Sequence, residues 1–217
     1  MKTSNEGLVE LVGHEGVALS KYKDSVGVWT VGIGATVTEI PGIASWPLGR
    51  KITVQESFEL LSKSIVKYEN AVNKALTRNI PQYQFDALVS WCYNVGVDWP
   101  RKATVVKLIN QDAPIKQLYS ALMMFKKPPE IIGRRIKEAI LLSTGKYSNN
   151  GRALLFPVSS SGYPMYGKGT LINVWQYINH TSTEQPIPPE VPKEEQKKQE
   201  TRPSLLQQII EYFWSKQ

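Results

Sequence analysis

Cysteine is nearly absent from this chain: 217 residues hold one, Cys92. A single thiol cannot form an intramolecular disulfide, so the fold does not depend on an oxidising compartment. Its setting, LVSWCYNVG, is apolar and reads as that of a small buried hydrophobe. Histidine is scarce too. His14 and His180 lie far apart, and no Cys/His cluster has metal-ligand spacing. Neither a metal nor another cofactor is expected. No run approaches the roughly 20 apolar residues of a membrane-spanning helix. The N-terminus, MKTSNEGLVELVGHEG, lacks the apolar core of about 7–15 residues that a secretory signal carries. The formal net charge is +7, yet no helix-turn-helix, RNA-binding or finger motif assigns that charge to nucleic acid. It suits attraction to an anionic surface such as a cell wall.

The informative stretch is residues 14–36, HEGVALSKYKDSVGVWTVGIGAT. Leu8, Val9, Leu11 and Val12 form the apolar face of a helix over 5–16 that ends near Gly16. Residues 20–36 then read as strand, turn, strand: Val26, Val28, Trp29, Thr30, Val31 and Ile33 are broken by Gly27, Gly32 and Gly34. Glu15 therefore sits at a helix end and Asp24 in a hairpin, with Thr30 six positions beyond. Two carboxylates facing across a cleft can cleave a glycosidic bond, one protonating the leaving oxygen while the other handles water or the oxocarbenium ion. The same residues also fit a solvated Glu at a helix terminus and an Asp capping its own turn.

The wording of the stretch resembles the phage-type lysozymes, the T4/P22-like endolysin family. HEG supplies the family's Glu as Glu15, YKDSVG its Asp as Asp24, and GVWTVGIG its Thr as Thr30. The resemblance implies that Glu15 is the general acid, that Asp24 orients or activates the attacking water, and that Thr30 hydrogen-bonds that water. It implies an inverting hydrolysis, for which the carboxylates stand about 6.5–9.5 Å apart rather than about 5 Å. One departure is visible: Ala35 stands where the family usually has His.

The rest of the chain is mostly helical. Thr53-Val54-Gln55-Glu56 is a capping box, and Val54, Phe58, Leu61, Ile65, Tyr68, Val72 and Leu76 form one stripe to about Thr77. In the family this long helix joins a small hairpin lobe to a larger helical lobe. Trp46, in the loop 37–50, is a candidate cover for the hairpin. Helices are expected over 81–94, 103–110, 115–125 and 129–144, the last closed by Gly145, with Met123 and Met124 as packing filler. QFDALVSWCYNVG is family-like, and the resemblance makes Tyr93 and Asn94 substrate contacts; the alternatives are core packing and a helix cap. Gly133-Arg134-Arg135 matches the family's final helix, with Glu138 three residues on. By that match Arg134 lies near the catalytic Glu, where a cation holds the carboxylate in place; a solvated basic face is the alternative.

The resemblance covers residues 5–147 and implies an α+β, lysozyme-like fold with a C-terminal extension. Residues 148–180 read as a short β-rich piece packed on that domain. It either extends the cleft through Tyr163, Tyr166 or Trp175 or is purely structural. Residues 181–203 are a Pro/Glu/Lys linker, and 204–217 an amphipathic helix that packs back, binds a partner protein or lies on a membrane surface. The expected substrate is peptidoglycan, cut between N-acetylmuramic acid and N-acetylglucosamine. Synthesis in the bacterial cytoplasm and holin-dependent release to the periplasm follow from the resemblance. The rivals are a lytic transglycosylase, which needs no second carboxylate, and a non-catalytic wall-binding module.

Overall fold

The computed structural model describes residues 1–178; the expected linker 181–203 and terminal helix 204–217 lie outside the described residues. Helix α1 spans Asn5–Glu15. It starts where the Ser4 hydroxyl accepts the Gly7 amide at 3.0 Å. It stops at Gly16, whose φ of 69° is strained for any residue with a Cβ. Glu15 is thus the last helical residue, aimed by a chain that turns sharply just beyond it.

Three antiparallel strands follow in the order β1 (Ala18–Lys23), β2 (Trp29–Gly32), β3 (Ala35–Thr36). The two-stranded hairpin expected over 20–36 is therefore a three-stranded sheet that begins two residues earlier. Gly32 and Gly34, at φ 66° and 71°, fold Ala35 back beside Val31. Ala18 pairs with Gly32, but Tyr22 pairs with Thr30 and Lys23 with Trp29, so a bulge lies between Ala18 and Tyr22. The loop 37–50 is pinned to this sheet: Lys21 Nζ donates to the Ala44 carbonyl at 2.7 Å, and Glu39 accepts from the Thr36 amide at 2.8 Å while pairing with Lys67. The Arg50 guanidinium lies 3.9 Å over the ring of half-buried Trp46, and the hairpin's own Trp29 is met by Lys21 Nζ and by Gly162.

Helix α2 (Val54–Ala75) ends two residues short of the expected Thr77. The capping box forms as its wording implied, with the Glu56 amide donating to Thr53 Oγ1 at 3.0 Å and the Thr53 amide to Glu56 Oε2 at 2.6 Å. Phe58, Leu61, Ile65 and Val72 are buried, and the helix touches β2 and β3 at one end and the helical lobe at the other. That lobe holds α3 (Gln82–Val95), α4 (Thr104–Asn110), α5 (Ile115–Leu122) and α6 (Ile132–Thr144). Helix α3 is its axis, with Phe85, Leu88, Trp91 and Cys92 fully buried and α1, α2 and α6 around it. Cys92 is the buried hydrophobe its setting implied, and burial pushes its thiol up to about 12. Met123 packs on the core, but Met124 is 67% exposed and fills nothing.

After α6 the chain returns to α1. The Asn149 amide donates to buried Glu10 at 2.6 Å, and Asn149 Nδ2 to the Val9 carbonyl at 2.8 Å. Strands β4 (Arg152–Leu155) and β5 (Thr170–Asn173) form a second antiparallel sheet, followed by α7 (Trp175–Ile178). Trp175 packs against Gly151 and the core, at the foot of this sheet, rather than in a cleft.

Buried Asp86 ties α1, α3 and the chain after α6 together. It accepts from the Ser4 amide at 3.0 Å, Ser4 Oγ at 2.5 Å, Gln82 Nε2 at 2.9 Å and Tyr147 Oη at 2.7 Å. A Cβ on Gly7 would lie 2.5 Å from Asp86 Cγ. Alanine is favoured over glycine within a helix by about 1 kcal/mol, but here it must displace Asp86 from four bonds. We therefore expect Gly7→Ala to lose about 1–3 kcal/mol in urea unfolding; an unchanged or higher stability would show that Asp86 repacks freely.

Candidate active site

Glu15 is fixed from two sides. On one, Gly34 of the tight β2–β3 turn approaches so closely that a Cβ there would sit 3.3 Å from Glu15 Oε2 and 3.1 Å from the Tyr93 ring. On the other, Arg134 Nη1 donates to Glu15 Oε1 at 2.5 Å across 119 positions of sequence. The side chains of Glu15 and Arg134 are only 19% and 11% exposed, so water screens this pair little.

Arg134 does not float. Its Nε donates to Glu138 Oε1 at 2.8 Å and its Nη2 to the Ser90 carbonyl at 2.9 Å. Burial alone would pull this guanidinium down, but Glu15 and then Glu138 outweigh it, and its pKa ends above the ordinary arginine value. It is a cation throughout the working pH range. Glu138, buried at 1% exposure, also receives Ser90 Oγ at 2.7 Å and pairs with Arg135. Arg135 Nη2 in turn donates to Asn94 Oδ1 at 2.5 Å, and its Nε to the Phe125 carbonyl at 3.0 Å. Two buried cations and one buried carboxylate thus balance with the help of Glu15, each directly hydrogen-bonded.

Asp24 stands at the head of the β1–β2 turn. Its Oδ1 accepts the Val26 amide at 3.0 Å and the Val28 amide at 2.8 Å, an Asx-type arrangement that holds the carboxylate still. Among the described residues Oδ2 has no hydrogen-bond partner, and so it is left for water or substrate. The Thr30 hydroxyl donates to the Val28 carbonyl at 3.2 Å, which frees its lone pairs to accept from a water. Thr30 is buried, opposite Tyr22 in the register.

The structure brings Glu15 and Arg134 into direct contact and sets the Tyr93 ring near them, on the far side of Gly34. Tyr93 Oη donates to the Ile33 carbonyl at 2.7 Å and its ring leans on Tyr68, so it offers a ring edge rather than a free hydroxyl. Asn94 is exposed and committed through Oδ1 to Arg135, leaving its amide NH2 for a ligand. Reading the sequence alone missed two residues. Glu138 is the hub of the arginine network, and its spacing of four from Arg134 and three from Arg135 on one helix was the available signal. Tyr22 lies two residues before Asp24. Burial first, then Tyr166, Glu15 and Asp24, raise its hydroxyl far above the ordinary tyrosine value, so all four form one electrostatic cluster. Ala35 is buried on the edge strand β3, paired with Val31, and takes part in none of these side-chain bonds. Among the described residues no group of three or more His, Cys, Asp or Glu is placed to hold a metal ion.

Comparison with known proteins matches residues 12–138 to the phage lysozyme family. The chain is 32% identical over 150 residues to the endolysin of Salmonella phage P22, spanning 66% of this chain and 99% of that one. It is 38% identical over 99 residues to the SAR-endolysin of Enterobacteria phage P21, spanning 46% of this chain and 56% of that one. Among solved structures, the endolysin of Escherichia coli O157:H7 phage FAHEc1 superposes with a TM-score of 0.62 at 30% identity, covering 69% of this chain and 98% of that one. A variant of P22 lysozyme gives 0.57 at 28% identity, covering 65% and 98%.

His14, next to Glu15, carries a consequence for acid stability. Burial first, then Arg134, Lys137 and Arg135, pull its pKa from 6.5 to about 3. Unfolded, it takes a proton near 6.5; folded, it stays neutral until about 3. The unfolded state is therefore favoured increasingly as pH falls through that window, by up to about 1.4 kcal/mol per pH unit, and not at all above it. We expect His14→Gln to flatten the loss of stability between pH 6.5 and pH 4 in denaturant titrations. Parallel losses in the two proteins would assign the acid lability elsewhere.

Proposed function

Because the chain belongs to the phage lysozyme family, we propose that it is an endolysin acting as a muramidase: it hydrolyses the β-1,4 bond between N-acetylmuramic acid and N-acetylglucosamine in peptidoglycan. The observation that carries this reading is the pairing of Glu15, held by Arg134 at the end of α1, with an Asp24–Thr30 pair anchored in the facing sheet. Glu15 protonates the glycosidic oxygen as the bond to the leaving sugar breaks. Asp24, steadied by two amides, takes a proton from the attacking water through its free oxygen. Thr30, whose hydroxyl proton is committed to Val28, accepts a hydrogen bond from that water and orients it. Arg134 remains charged and balances Glu15 once its proton has been given away. Water entering opposite the leaving sugar inverts the anomeric centre.

A transglycosylase would need the acid and no water-activating pair, and the Asp24–Thr30 arrangement favours hydrolysis over it. The proposal includes synthesis in the bacterial cytoplasm and passage to the periplasmic wall by way of a holin. A contact of the tail 204–217 with a partner protein or a membrane surface also belongs to it, in residues outside those described. Among the described residues no helix is long and apolar enough to cross a membrane.

Digestion of purified peptidoglycan followed by mass spectrometry tests the assignment. The wild-type protein should release fragments with reducing N-acetylmuramic acid ends, and Glu15→Gln should lower kcat by about 10²–10⁴-fold while remaining folded. Fragments with 1,6-anhydro ends would instead assign a transglycosylase.

A further inference from the structure

The β4–β5 extension lies downstream of residue 138, where the family match ends, and it grips the site at both carboxylates. Next to Glu15, the Val17 amide donates to the Leu154 carbonyl at 2.8 Å and the Phe156 amide to the Val17 carbonyl at 3.0 Å. The fit is close enough that a Cβ on Gly16 would sit 3.0 Å from both Leu154 O and Phe156 Cε1. Next to Asp24, the Lys23 amide donates to the Gly162 carbonyl at 2.9 Å, and Gly162 lies against the Trp29 ring. The loop between these anchors therefore runs from the foot of Glu15 to the head of Asp24.

Two aromatic contacts fill the span. Phe156 meets Tyr22 edge-on with ring centroids 5.5 Å apart, and Tyr166 tilts onto Phe156 at 4.7 Å. The Tyr166 ring is held from behind by a short turn, Tyr166–Lys168, in which the Gly169 amide donates back to the Tyr166 carbonyl at 3.0 Å. That turn is seated so tightly that a Cβ on Gly169 would lie 2.6 Å from Leu154 Cδ1. Even so, Tyr166 is 56% exposed. An aromatic packed on one side by Phe156 and exposed within reach of two carboxylates has a free face to offer a ligand. Its hydroxyl is raised in pKa by partial burial first and then by Glu15 and Asp24, so it stands within electrostatic reach of both carboxylates.

We propose that Tyr166 is a substrate-binding residue: its exposed ring is a platform for a sugar of the glycan strand beside the scissile bond, in a subsite that the extension adds to the cleft. This rests on the reading of Glu15 and Asp24 as a glycan-cleaving pair. An apolar ring suits the C–H-bearing face of a pyranose, and packing on Phe156, itself edge-on to Tyr22, holds the Tyr166 ring in place.

The test uses the full chain and peptide-free glycan strands from peptidoglycan. Tyr166→Ala should raise KM about tenfold with kcat within about twofold and the melting temperature unchanged, and should weaken strand binding by a similar factor in a fluorescence titration. Tyr166→Phe should keep both. An unchanged KM in Tyr166→Ala would overturn the subsite, as would faster cleavage, which would make the ring a plug. Should the wild-type protein release no reducing ends at all, the failure lies with the muramidase reading and not with Tyr166.

Discussion

Glu15 and Arg134 are 119 positions apart in the chain, and the bond between them is the constraint on which the rest of the site depends. It joins the end of α1 to α6, across the helix, α3, that supplies Ser90 and Tyr93. A buried ion pair contributes little stability in its own right, because desolvation cancels much of the attraction. What it contributes here is position. Arg134 has three acceptors in three directions, Glu15, Glu138 and the Ser90 carbonyl, and a planar guanidinium leaves such a set little freedom. Glu138 supports that arrangement by pairing with both arginines, and Glu15 supplies the second negative charge.

The opposite wall is built by different means. Asp24 and Thr30 take their geometry from backbone: a turn that donates two amides to one carboxylate oxygen, and a strand register that places Thr30 across from Tyr22. No cation neutralises Asp24 through an ion pair among the described residues. One carboxyl is thus set beside a permanent cation inside the helical lobe, and the other in a hydrogen-bonded turn at the edge of the sheet. The two carboxyl groups are thus held by different means, Glu15 by a buried guanidinium and Asp24 by two backbone amides. The extension then links the walls, binding the chain just after Glu15 and just before Asp24.

Much of this was legible in the sequence for physical reasons. The capping box at Thr53 and the stripe on α2 are local signals, and they form within two residues of their expected bounds. Gly16 closes α1 where its wording implied and leaves Glu15 at the helix end. The family wording pointed to Arg134 as a neighbour of Glu15, which spacing alone could not do. The third strand does not show in the sequence because two residues are too few to show alternation, and nothing local reveals that Arg50 stacks on Trp46. Glu138 reads as one more surface charge until its two arginines are seen to be buried. Tyr166 was one of three aromatic candidates, and only the tertiary contacts of Phe156 separate it from Trp175, which turns into the core.

The central claim is that Glu15 is positioned by a unit, Arg134 with Glu138, rather than by independent neighbours. A double-mutant cycle on kcat with Arg134→Lys, Glu138→Gln and the combination tests it most directly. If the two act as one unit, the double variant loses little more than the worse single variant, with a coupling energy of about 1–3 kcal/mol. Losses that simply multiply would show that Glu138 acts on α6 alone and that Arg134 holds Glu15 without it.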